Sequence, residues 1–98
     1  MKPLVLNDFA DAVGAAFLIA SGDDTVELTL ECADALPVWA PAVETFRLEF
    51  RGPFEPILPQ AIYTFRREGS EARSFDIFIV PVGREEAGTL YEAIFTRV

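Results

Sequence analysis

The chain has 98 residues, sixteen acidic against eight basic, one cysteine and no histidine. That length makes one domain able to fold without disulfide or metal support, and half of it is apolar, which argues against disorder. A net charge of −8 repels phosphate backbones, no basic stripe interleaved with aromatics occurs, and the missing histidine removes Ser-His and Cys-His nucleophilic pairs.

The charge is uneven. Residues 1–44 carry eight acids against Lys2 alone, whereas residues 45–98 carry eight acids against seven Arg. The N-terminal MKPLVLNDF is too short and too polar for a secretory signal, and no apolar run reaches the roughly 20 residues that cross a bilayer. The expectation is a soluble cytoplasmic protein with no membrane and no nucleic-acid partner.

Asn7 or Asp8 is placed to cap a short helix, DFADAV, stopped by Gly14. Phe9 and Val13 lie four apart and would share its docking face. Residues 15–20 read as a first strand with Phe17 and Ile19 on one side, and SGDD as a turn. In the second strand, 25–33, Val26, Leu28, Leu30 and Cys32 point one way and Glu27, Thr29 and Glu31 the other. Cys32 is then a small buried hydrophobe. Residues 34–44, with Pro37 and Pro41, read as an irregular crossing around Trp39.

The stretch TFRLEFRGPFEPILPQAIYTFRR, 45–67, is two alternating strands joined by an arch stiffened by Pro53, Pro56 and Pro59. Phe46, Leu48 and Phe50 face the core, with Arg47, Glu49 and Arg51 outside. In the second strand Ala61, Tyr63 and Phe65 point inward, Ile62, Thr64 and Arg66 outward. Phe54 and Ile57 on the arch have no assigned partner. Residues 68–72 make another turn. SFDIFIVPVG is apolar on both faces after Asp76, which indicates a strand covered on both sides, by the helix or by a partner chain. Asp76 is placed to pair with Arg47, Arg66 or Arg73. The last strand, 90–98, alternates Tyr91, Ala93 and Phe95 with Glu92, Ile94 and Thr96.

Six strands and almost no helix describe an all-β domain: a small antiparallel barrel or two-layer sandwich over residues 1–98, with one short N-terminal helix. The adjacent carboxylates Asp23–Asp24 and Glu85–Glu86 read as solvated turns rather than metal ligands, and no phosphate-cradling glycine motif occurs. No cofactor or metal is expected.

Gly52-Pro53, Leu58-Pro59-Gln60, Tyr63, Pro81-Val82-Gly83 and Tyr91-Glu92-Ala93-Ile94-Phe95, with Asp8-Phe9 and Val13-Gly14, resemble a family of short uncharacterised bacterial proteins. Its members are sometimes encoded beside phage-tail-collar-like proteins. The resemblance covers most of the chain. It implies a part in a tail-like particle and brings no catalytic residues.

The function expected is a non-enzymatic structural or protein-interaction module, self-association included. Its candidate contacts are Trp39, Phe54, Ile57, Ile62, Phe78, Val80 and Ile94. The alternative is a small-ligand-binding barrel with its mouth near Trp39 and the arch.

Overall fold

The computed structural model describes residues 6–36, 44–67, 69 and 74–97. A 3₁₀ turn at Leu6–Asp8 precedes six strands: β1 (Ala16–Ser21), β2 (Asp24–Ala35), β3 (Glu44–Gly52), β4 (Ala61–Arg67), β5 (Ser74–Glu85) and β6 (Gly88–Arg97). They close into an antiparallel barrel in the order β1-β2-β3-β6-β5-β4. The barrel, not the sandwich, is the architecture, so most strands are paired on both edges.

Alternation generates the wall. Phe46, Leu48 and Phe50 of β3 are fully buried, and Arg47, Glu49 and Arg51 form the outer face. Phe17, Ile19, Val26, Leu28, Leu30, Phe65, Ile77, Ile79 and Tyr91 fill the lumen with them. A six-stranded barrel is narrow enough for side chains to pack it solid. Leu48→Ala and Phe50→Ala are each expected to cost about 2–5 kcal/mol in urea unfolding, because both side chains leave a cavity.

Seven of the nine phenylalanines sit in two aromatic layers. Phe17, Phe50 and Phe65 stack in one, with centroids 4.9–6.2 Å apart. Phe9 joins Phe46, Phe75 and Phe95 in the other, 5.2 Å from Phe75 and 6.4 Å from Phe46. Phe46 and Phe95 are parallel at 4.7 Å.

The expected N-terminal helix is absent. Residues 6–15 instead follow a chain of tight turns, Phe9 N to Leu6 O, Ala12 N to Phe9 O and Ala15 N to Ala12 O, each spanning three residues. A three-residue period puts Phe9 and Ala12 on the inner side, both buried, and leaves Val13 half-exposed. The segment nevertheless closes the barrel end where β3 and β5 begin, with Phe9 as the plug.

A second correction concerns Cys32. A β-bulge between Leu30 and Cys32 makes Glu31 the extra residue, so Leu30 faces Phe50 but Cys32 faces Glu49. One added residue reverses the side-chain phase. Ala33, opposite Leu48, now packs on the core, and Cys32 moves to the outer face as a free, half-buried thiol.

The third concerns β5. Phe75, Ile77 and Ile79 are buried, but the other face is open: Phe78 is 49% and Val82 52% exposed, and Val80 is half-buried. No helix covers it. Asp76 accepts a hydrogen bond from the Thr64 hydroxyl across the ladder, at 2.7 Å, and among the described residues no arginine pairs with it. Arg73 lies outside the described residues.

Candidate functional site

At the barrel end opposite Phe9 the chain crosses from β3 to β4 by the arch 53–60, and the lumen is shut from beneath it. Leu58 is buried, and its N–H donates to the Tyr91 hydroxyl at 2.9 Å. The Tyr63 hydroxyl donates to Pro59 O at 2.6 Å, and the Thr89 hydroxyl to Phe54 O at 3.2 Å. Burial, with the nearby Tyr91 phenol, pushes the Tyr63 pKa above its usual value, which keeps it a donor. The two tyrosines therefore hold the arch. Tyr91→Phe strands the buried Leu58 N–H and is expected to cost about 1–3 kcal/mol in urea unfolding, with Tyr63→Phe, at a wetter bond, costing less.

Arg84 secures the outer side. Its guanidinium lies 3.5 Å from the centre of the Phe54 ring, donates to Phe54 O at 3.2 Å and meets Glu55 at 3.1 Å. Phe54 and Ile57 are half-exposed on the arch, as expected, but Phe54 already has this cationic cover.

The outer wall divides by strand. Across β2, β3 and β6, Arg47 reaches Asp34 (3.8 Å), Glu49 (2.7 Å) and Glu92 (3.3 Å). Arg51 reaches Glu31 and Glu85. Hydrogen bonding to Glu49 raises the Arg47 pKa, and bonds to Glu31 and Glu85 raise that of Arg51. This side is a solvated fan of ion pairs in which two arginines serve five carboxylates.

Across β4, β5 and β6 the wall carries large exposed apolar side chains among Thr64, Arg66, Asp76 and Glu92. Ile62 is 68% exposed and directly opposite Phe78, and Ile94 is 58% exposed. The β5–β6 ladder stops at Val80↔Glu92, so Ile94 lies on β6 two residues past the last pair, across the unpaired gap from Phe78. Ile62 and Phe78 are therefore cross-strand neighbours, and Ile94 stands outward on the next strand, beyond the gap. Val80 flanks them. Val82, also exposed, is the extra residue of a second bulge between Pro81 and Gly83. Alternation groups Val82 with Phe78 and Val80 but does not show the bulge, for which the Pro-Val-Gly run is the signal.

The structure therefore brings Ile62, Phe78, Val80 and Ile94 onto one face and sets Phe54 and Ile57 apart on the arch. Trp39 lies outside the described residues. Among the described residues no cluster of His, Cys, Asp or Glu could hold a metal ion, and no helix is long and apolar enough to cross a membrane.

An open groove of about 630 Å³ runs outside the wall between β2 and the arch, bounded by Thr25, Glu27, Arg51, Pro53, Glu55 and Pro56.

The fold and surface define a small closed β-barrel domain with a packed lumen, a charged side and a side bearing large exposed apolar residues. By comparison with family models the chain belongs to the DUF6916 family, a domain of unknown function, matched over residues 4–95. No curated protein and no solved structure matches it.

Proposed function

We propose that this domain is a non-enzymatic interaction module that docks another protein through Ile62, Phe78 and Ile94, with Val80 and Val82 at the margin. Phe78 carries the reading. Of the nine phenylalanines, seven are in the two core layers and Phe54 is under Arg84; Phe78 alone is half-exposed without such cover. Contiguous apolar side chains on an otherwise charged wall mark interaction sites, and aromatic residues dominate binding energy at such sites. The net charge of −8 favours a polypeptide partner over nucleic acid or an anionic membrane surface.

The non-enzymatic part is supported by how the polar groups are used. The Tyr63 and Tyr91 phenols hold the arch, and Arg47, Arg51 and Arg84 are engaged in ion pairs. The setting proposed is a tail-like particle assembled in the cytoplasm, which the family resemblance suggests.

The test is affinity capture from host extract with the native domain and with Ile62→Glu/Phe78→Glu. Outward positions tolerate such changes within about 0.5 kcal/mol each, so the variant should keep its fold while a specifically captured protein falls by about tenfold or more. An identical capture profile from the folded variant would overturn the proposal. Light scattering at high concentration decides whether the docked chain is a second copy.

A further inference from the structure

We propose that the groove between β2 and the arch binds an extended, basic polypeptide segment by strand addition to β2. This goes beyond the apolar face: in a six-stranded ring β2 and β5 are three strands apart, so the two surfaces lie on opposite sides of the barrel.

The argument starts at Pro53. The β2–β3 ladder ends with Thr29↔Arg51, and one residue after Gly52 a proline without an N–H turns the chain into the arch. β2 continues beyond that point to Asp24, paired with β1 alone. Leu30 directs its backbone groups at β1, donating to Ala15 O and accepting from Gly14 N. Antiparallel alternation then sends those of Leu28, Val26 and Asp24 the same way, and those of Thr25 and Glu27 into the groove. Among the described residues nothing pairs with the backbone N–H or C=O of Thr25 or Glu27. Two donors and two acceptors in register, beside an open channel, are the template that strand addition uses.

Charge selects the occupant. Asp24 and Glu27 line the groove with Glu55, which Arg84 already pairs, and with Arg51, which Glu31 and Glu85 already pair, so the carboxylates of Asp24 and Glu27 set its charge. A segment alternating Lys with small apolar residues would satisfy both the edge and the carboxylates. A second copy of this chain, also at −8, would not. Together with the apolar face, such a site would let one domain bridge two neighbours.

The experiment is amide hydrogen exchange and chemical-shift mapping of the full chain with the synthetic peptide Lys-Val-Thr-Val-Lys. Binding should slow exchange at Thr25 and Glu27 by about tenfold or more and shift resonances along the groove. Replacing both Lys by Glu, or N-methylating the backbone on the edge-facing side, should weaken binding about tenfold, roughly the effect of 1.4 kcal/mol. Thr25→Pro removes one groove-facing donor without touching the β1 ladder and should weaken it likewise. No binding, or equal binding of the N-methylated peptide, overturns the proposal. Shifts confined to Ile62, Phe78 and Ile94 also overturn it while supporting the apolar docking face, so the two readings fail separately.

Discussion

Phe9→Ala is expected to lower unfolding stability by about 3–5 kcal/mol, the range for truncating a buried phenylalanine. In a domain of this size that is on the order of 15–30 °C in Tm. Phe9 is fully buried, and its ring meets β3, β5 and β6 at once through Phe46, Phe75 and Phe95. The β5–β6 ladder extends only from Val80↔Glu92 to the turn at Glu85↔Gly88. Residues 74–79 and 93–97 are therefore joined across that gap by aromatic packing rather than by a ladder, and Phe9 is its centre. Val13→Ala, four residues on but half-exposed, should change stability by less than about 0.5 kcal/mol. Equal losses at the two positions, read by urea unfolding, would restore the helical face that the turns replace.

Gly88→Ala is the second large effect, at about 3–4 kcal/mol. Gly88 has φ +138°, which side chains rarely adopt, and an added Cβ would collide with the carbonyl oxygen of Gly52. That carbonyl has little room to retreat, because Gly52 is buried and paired with Thr89, the residue after Gly88, at the root of the arch. The strain should therefore reach the Leu58–Tyr91 bond. Gly83→Ala is the control. Its Cβ would meet only Leu90 Cδ1 at an ordinary 3.8 Å. Chemical denaturation of the two variants should separate them by about 3 kcal/mol; similar midpoints would contradict this account of the arch root.

What was legible in the sequence is what depends on neighbours along the chain. The period-two pattern of FRLEFRG located β3 and its two faces, and the same pattern placed Ile62 and Ile94 outward. Closure was not legible, because β1–β4 and β3–β6 pairing joins residues far apart in sequence. Neither were the bulges at Glu31 and Val82, where one residue reverses the phase of everything after it while composition stays strand-like. Phe9-Ala12 and Phe9-Val13 spacings coexist in DFADAV, and only the turn hydrogen bonds choose between them. The apolar face was half visible: Ile62 and Ile94 could be assigned outward, but SFDIFIVPVG is apolar on both faces, so the exposure of Phe78 and Val80 needed the fold. The groove needed more, since it arises from β2 outrunning β3. Pro53 was the one local signal for it.

The most direct test of the interaction reading is site-specific photo-cross-linking in the native host, with a benzophenone amino acid replacing Phe78 and, separately, Val13. Both positions are about half exposed, but only Phe78 is on the apolar face. The account predicts a discrete protein adduct from position 78, none from position 13, and loss of the first when Ile62 and Ile94 are changed to Glu. Equal adducts from both positions, or none from position 78, would contradict it.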